Sequence, residues 1–499
     1  MCGVERQPMT ASRRRSFPTW HLSAVAATAV LAACALNPAT GKKEISLMSE
    51  SQEIALGQQM DPEVRREMGV YNDPELQRYV ESIGSRLARH SERPEIPWHF
   101  TVVDAPAVNA FALPGGYIYI TRGILPFLQN EAQLAGVLGH EIGHVTARHS
   151  AQQYTKATGA GIGMTLLSIF VPQARPLQGI TEQALGVLFL KHGRDDELQA
   201  DRLGVRYAAA ADWDPAGVAG MLTTLERLDQ AAGSRKGVPN WLSTHPAPED
   251  RVQKIEPVIQ QARAAMGVAP AAADRADFLR RIDGIVYGDS PSEGIVKGNE
   301  FLHPDLRLAV TFPKGWEVQN SQSQVVAKAA EQEQYMILQL VPDPRGSVEQ
   351  IARQGMDNAG FRQVNGRATE INGAEAYVGT YQGSLQGLGD VVVTAAHLVH
   401  ERNVYVLAGL APRNDIAGVQ AAFESSIGSF RSLSRAEAAR IKPNRIDLYL
   451  VREGDTWQSV AERTGQDTIS GSTLAIMNGR SPGEPPTPGD RIKVVVTES

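Results

Sequence analysis

Cysteine is almost absent from this chain: of 499 residues only Cys2 and Cys34 carry a thiol, both near the start. That excludes a disulfide framework and, beyond residue 34, a cysteine nucleophile. Basic charge is also in short supply. With 49 Lys and Arg against 55 Asp and Glu, the formal net charge is −6, so there is no cationic footprint for DNA or RNA and no nucleic-acid partner is expected. Long apolar runs are few. Leu22–Ala33 is twelve residues long, too short for a comfortable membrane span. Ala157–Ala174 is uncharged between Lys156 and Arg175 but contains Gly159, Gly161, Gly163 and Pro172, which suits a lid or a membrane-surface segment better than a transmembrane helix. Apolar residues make up 42% and charged residues 21% of the chain. Both are ordinary for globular material, and the length allows two or three domains.

Ahead of the first apolar run stand Arg6, Arg13, Arg14 and Arg15, so residues 1–33 read as a signal segment. The run ends at Leu31-Ala32-Ala33-Cys34, which resembles a bacterial lipobox. By that resemblance Cys34 is lipidated and becomes the first mature residue; the alternatives are a plain secretory signal cut after Ala33, or a short anchor. Ala35 is not the aspartate that retains such proteins in the inner membrane, so the resemblance implies a periplasmic protein anchored to the outer membrane. Several acyl chains make such anchoring stable where one would be marginal.

The chemistry centres on His140-Glu141-Ile142-Gly143-His144. Leu134, Val137, Leu138, Ile142 and Val145 recur at helical spacing with no proline between them, which places the motif on a helix. Residues four apart share a face, so His140 and His144 can present ring nitrogens to a single ion. Zinc takes three protein ligands at about 2.0–2.2 Å and keeps an open position where water is acidified. Glu141 stands where it can take that water's proton and pass it to a leaving amine. The third ligand is either His149 or a more distant carboxylate. A metzincin would need glycine at position 147 and histidine at 150, but the chain has Ala147 and Ser150. His149 points off the face shared by the first two histidines. The better candidate is Glu197, with Asp201 four residues on along a second helix, where Asp201 would hydrogen-bond the far nitrogen of a liganding histidine. The plainer alternative is a solvated acidic face, which suits Asp195 and Asp196.

Four pieces then fall in order: Asn109 to Gly116 (NAFALPGG) with the strand Tyr117–Thr121, HEIGH, Glu197 to Asp201, and Ser243-Thr244-His245-Pro246 followed by Arg251. Together, over about residues 44–260, they resemble the M48 family of zinc metallopeptidases. Gly193 departs from the serine many members carry there. The resemblance implies one Zn2+ per chain held by His140, His144 and Glu197, Glu141 as general base, and Asp201 behind a ligand. It also implies an edge strand, Tyr117, Ile118, Tyr119 and Ile120, that lends its backbone to an extended substrate; the alternative is an internal strand that only supports the fold. His245 either reaches the fourth position of the zinc and holds the site latent, or packs and helps bind substrate. Arg251 either neutralises buried carboxylates or stabilises a developing oxyanion.

The fold class expected is α+β. A mostly helical, gluzincin-type metallopeptidase domain with a small sheet spans 34–264. A linker (265–298), a small α+β domain of unstated role (299–435) and a βααβ module resembling LysM (445–497) follow. Phe312-Pro313-Lys314-Gly315-Trp316 is weakly reminiscent of the PsbP fold, and His303, His397 and His400 form no constellation. The function implied is a zinc endopeptidase of the bacterial envelope that degrades misfolded or misassembled proteins, with the last module holding peptidoglycan. The competing reading is a chaperone-like binding lipoprotein whose zinc is structural or latent.

Overall fold

The computed structural model describes residues 34–39, 41, 43–45, 48–153, 192–232, 241–245, 250–267, 275–321, 323–385, 387–465 and 468–497. The signal segment, the uncharged run 157–174, Pro246 and part of the expected linker lie outside these. Among the described residues no helix is long and apolar enough to cross a membrane.

Strands β1 (Cys34–Leu36) and β2 (Lys43–Ile45) pair antiparallel ahead of helix α1 (Glu50–Met68). Ser49 and Gln52 close a capping box at the start of α1. Helix α2 (Pro74–Ala88) begins at Asp73, whose carboxylate accepts from the Glu75 and Leu76 amides, so the Asn-Asp-Pro break in the sequence is a helix start. Strands β3 (His99–Val103), β4 (Ala110–Leu113) and β5 (Tyr117–Thr121) form a sheet in the order β3-β5-β4. Gly115 and Gly116, at φ +82° and +99°, turn β4 into β5, and a Cβ on Gly115 would lie 2.6 Å from the Ile54 Cα.

This order corrects one expectation. β5 is paired on both sides, parallel to β3 and antiparallel to β4, so Tyr117, Ile118, Tyr119 and Ile120 have no free backbone edge and the internal-strand reading holds. Among the described residues no strand pairs with the outer side of β4, although Ala110 and Ala112 are buried there. Thr121 N–H donates to the Asn109 carbonyl, and the alternation of an antiparallel ladder then turns the backbone groups of Ala110 and Ala112 away from β5. Consistent with that, the Ala112 carbonyl accepts from Ser150 Oγ at 3.4 Å.

Helix α3 (Glu131–Thr146) carries HEIGH and is buried on every side from Leu134 to Thr146. It is packed by α2, β4, α4 (Arg194–Ala210) and α5 (Ala216–Ala232); Trp241 of the single turn α6 (Trp241–Thr244) reaches His140, and α7 (Arg251–Met266) packs on α4 and α5. Glycines let α3 and α4 touch backbone to backbone. A Cβ on Gly139 would meet the Gly204 Cα at 3.2 Å, and one on Gly143 would meet the Ala200 carbonyl oxygen at 2.9 Å.

The stretch expected to be a linker carries helix α8 (Arg275–Ile282) and strands β6 (Val286–Tyr287) and β7 (Ile295–Lys297). Phe278, Leu279, Ile282 and Ile285 are buried in the same core as α3. The middle region continues with β8 (Glu300–His303), β9 (Leu308–Thr311), β10 (Glu317–Asn320), β11 (Gln324–Lys328), β12 (Tyr335–Leu340) and α9 (Val348–Asn358). Next come β13 (Arg362–Ile371), β14 (Ala374–Leu385), β15 (Gly389–His400), β16 (Asn403–Pro412), α10 (Ile416–Gly428), β17 (Arg431–Ser432) and α11 (Arg435–Arg440). Its main sheet is seven-stranded, in the order β10-β11-β12-β16-β15-β14-β13, and a four-stranded sheet runs β17-β9-β8-β7. Phe423 of α10 packs with Ala396 and Leu398 of β15, whereas Met356 of α9 packs with Val391 and Val393. Those residues point to opposite faces of the strand, so the main sheet lies between two helices.

The chain ends its described course with β18 (Asn444–Leu450), α12 (Trp457–Gly465), α13 (Gly471–Met477) and β19 (Arg491–Thr497), a βααβ order with β18 and β19 antiparallel. Strand β6 adds to the free side of β18. Val451, Trp457, Leu474, Ile492 and Val494 join the core that holds α3. Lys493, fully buried, donates from Nζ to the Leu128 carbonyl at 2.7 Å.

Candidate metal centre

His140, His144, Glu197 and His245 each offer a ligand atom within 4.8 Å of the other three, and all four side chains are buried. Helix α3 supplies the first two on one face and α4, held close by the glycine contacts, supplies Glu197. His245 follows α6, where the Trp241 indole stacks on its ring at 4.2 Å between centroids.

The proton pattern is set from behind. Asp201 Oδ1 lies 2.9 Å from His140 Nδ1. An ionised carboxylate only accepts, so His140 carries its proton on Nδ1 and turns a lone pair on Nε2 into the site. Arg251 donates to Asp201 from Nε and Nη2, at 2.8 and 2.7 Å, and lies 2.9 Å from Glu197 Oε2 through Nη1. His140 Nε2 and His144 Nε2 approach to 3.0 Å, and each is 3.5 Å from a Glu197 oxygen. Two lone pairs and a carboxylate facing one another repel unless a cation lies among them. Their spacing is close to the roughly 3.3 Å that tetrahedral ligands at about 2.0 Å impose on one another. The donor set therefore fits a metal ion of zinc type. Glu141 Oε1, buried beside the cluster, accepts no hydrogen bond and lies 3.5 Å from His245 Nε2. His245 Nδ1 lies 3.1 Å from Glu197 Oε1 and 3.3 Å from His140 Nε2.

The electrostatics follow. Burial pushes the Glu141 carboxyl up, tempered by His245 and His140. Burial also pushes on Glu197 and Asp201, but it is outweighed, by His245 and His144 for the first and chiefly by Arg251 for the second, and both stay below the usual carboxylate range. Burial opposes charge on His245, but Glu197 and Glu141 outweigh it and raise its pKa. His144 is held neutral, mainly by burial, the state a metal-ligating imidazole requires.

The three expected ligands His140, His144 and Glu197 thus converge, with His245, Glu141, Asp201 and Arg251 beside them. His149 is not among them: its Nδ1 lies 2.9 Å from His144 Nδ1, behind the ligand. Sequence reasoning missed His192, whose ring lies 4.0 Å from that of His144 and whose Nδ1 accepts from Gln153. It also missed Trp241. Neither residue belongs to a spacing pattern that could have singled it out. His303 and His400 serve the middle region: His303 Nδ1 accepts from the Leu306 amide and His400 Nε2 donates to its carbonyl.

Residues 74–259 match the model of Peptidase family M48. The chain is 34% identical over 225 residues to the beta-barrel assembly-enhancing protease of Escherichia coli (strain K12), covering 43% of this chain and 45% of that protein. It is 33% identical over 190 residues to the mitochondrial metalloendopeptidase OMA1 of Schizosaccharomyces pombe, covering 37% and 53%. The chain spans about half the length of the curated relatives it matches. Cyanobacterial PsbP from Synechocystis sp. PCC 6803 overlays 29% of this chain at 14% identity with a TM-score of 0.24, too low to carry an argument.

Proposed function

Taking residues 74–259 as a peptidase domain of family M48, we propose that this protein is a zinc-dependent endopeptidase of the bacterial cell envelope. In this reading Cys34 carries lipid that anchors it to the periplasmic leaflet of the outer membrane. Its substrates are misfolded or misassembled envelope proteins, in keeping with the name of the Escherichia coli relative, and the C-terminal module holds peptidoglycan. The observation that carries the proposal is the convergence of His140, His144 and Glu197 with the buried Glu141 beside them, its Oε1 without a hydrogen bond among the described residues.

One Zn2+ held by those three ligands supplies Lewis-acid polarisation of the scissile carbonyl and acidification of water. Glu141, its carboxyl pushed up by burial, takes a proton from the attacking water and returns it to the leaving amine. Asp201 holds His140 in the liganding tautomer, and Arg251 offsets the charge of Asp201 and Glu197. The outward Ala110 carbonyl and Ala112 N–H on β4 receive the extended substrate, the Ala110 N–H being held by Asn109 Oδ1 and the Ala112 carbonyl by Ser150 Oγ. His245, 3.1 Å from Glu197 Oε1 and 3.5 Å from Glu141 Oε1, would be a fourth ligand of that ion; in this reading the resting site would be latent and substrate would displace that ring.

The same closed set of four favours one competing reading, a binding lipoprotein with a structural zinc, because structural zinc sites are usually closed by four ligands. Cleavage of casein by the zinc-loaded protein separates the two. Cleavage that Glu141→Gln abolishes, by roughly 10²–10⁴-fold or more, with zinc still bound is the expected result; His245→Ala should raise the rate. No cleavage by the protein or by His245→Ala would leave the structural reading standing.

A further inference from the structure

We infer that His149 is a positioning residue for the metal centre: it accepts the Nδ1 proton of His144 and so fixes the tautomer in which His144 Nε2 offers a lone pair to the ion. The inference rests on the zinc reading above. The two Nδ1 atoms are 2.9 Å apart and both rings are buried, so they share one proton and its owner decides whether His144 can act as a ligand. His144 Nε2 is the nitrogen that faces the other ligand atoms, 3.0 Å from His140 Nε2 and 3.5 Å from Glu197 Oε1, so in the zinc reading it keeps its lone pair and the shared proton sits on His144 Nδ1. On the far side His149 Nε2 lies 3.2 Å from Gln199 Oε1, an acceptor for the hydrogen that Nε2 then carries.

The local backbone is shaped for this contact. A helix continuing past Thr146 would carry residue 149 off the ligand face. Instead α3 stops and Arg148 adopts φ +63°, a left-handed conformation that a non-glycine residue takes only when its surroundings enforce it. Here the enforcement is visible: the Arg148 guanidinium binds Glu53 and the Met48 carbonyl. The turn brings His149 back behind His144. Gln199 sits on α4, the helix that also carries Glu197 and Asp201. One helix thus supplies a ligand and orients both histidines, His140 directly through Asp201 and His144 through the Gln199–His149 relay. An imidazole does this without adding another carboxylate to the buried Glu197, Asp201 and Glu141.

The test is zinc affinity of the full chain, by competition with a chelator, together with the 1H–15N imidazole spectrum of the zinc-bound protein. His149→Phe, which keeps the ring volume and removes both nitrogens, is expected to weaken zinc binding by roughly 10–100-fold. His149→Asn, whose Oδ1 can accept from His144, is expected to recover most of the loss. Gln199→Leu should weaken binding in the same direction as His149→Phe. The spectrum of the unaltered protein should show His149 neutral with its proton on Nε2. Unchanged zinc affinity in His149→Phe, or a His149 proton on Nδ1 in the zinc-bound chain, overturns the inference while leaving the zinc site intact. Absence of zinc binding in the unaltered protein would take down both readings together.

Discussion

At the scale of single residues the site depends on Arg251, the cation shared by two buried carboxylates. Its side chain is 2% exposed and those of Glu197 and Asp201 are fully buried, so replacing it by leucine strands charge in a low-dielectric interior. Arg251→Leu is expected to cost the zinc-free protein about 3–5 kcal/mol in urea unfolding. A second change, Asp201→Asn, should return part of that loss, since it removes one of the stranded charges. The acid side of the stability profile follows from the same pair. The folded pKa of Asp201 is held below its usual value, chiefly by Arg251 against the pull of burial. Its contribution is therefore fully present above the unfolded value near 3.9 and is lost as pH falls through the folded value. Without Arg251 only His140 opposes burial, and the loss should begin at higher pH.

At the scale of elements, two backbone approaches govern the site. Gly143→Ala would place a methyl group 2.9 Å from the Ala200 carbonyl oxygen, forcing α3 away from α4. Chelator competition should show weaker zinc binding, and urea unfolding a loss of about 1–3 kcal/mol. Strand β4 offers the second. Ala112→Pro removes an outward N–H while sparing the ladder to β5, since its own N–H faces away from that strand. Peptide cleavage should show KM raised by up to roughly tenfold, the worth of one hydrogen bond, with kcat little changed. Much of this was legible in advance. Histidines at i and i+4 and the Glu197–Asp201 pair name their own helix faces, because helical spacing alone fixes them. The sheet order was not legible: Tyr117–Thr121 reads as a strand from its alternation, but whether a strand is an edge depends on its neighbours. Likewise 265–298 reads as a linker from its Ala- and Pro-rich beginning, although Phe278, Leu279 and Ile282 carry a helical spacing that could have marked α8. The role of His149 depends on one left-handed residue, which leaves no pattern in the sequence.

At the scale of the whole molecule, the peptidase helices and the C-terminal βααβ module share a core, with Lys493 buried in the seam. Burial, aided by Arg275, holds the Lys493 ammonium well below its ordinary pKa. A lysine whose folded pKa is lowered binds fewer protons folded than unfolded, so stability rises with pH between the folded value and the unfolded one near 10.4. The unfolding free energy should therefore climb as pH rises toward 10 in urea titrations, and Lys493→Met should flatten that climb. The middle region builds a core of its own and touches α1 where Ser323 donates to Glu67. It leaves at β6 and returns at β18, where Tyr287 is paired with Asn444 and Val286 with Arg445, so it is an insertion whose two ends meet. Joining residue 287 to 444 through a tight turn should yield a folded protein that still binds zinc. The shared core also sets a timetable. Strand β18 follows α3 by about three hundred residues, so the HEIGH helix waits for the far end of the chain before its core can close. Until then it lacks the βααβ module that shares that core, and the metal centre reaches its final packing only once the whole middle insertion has entered the same compartment.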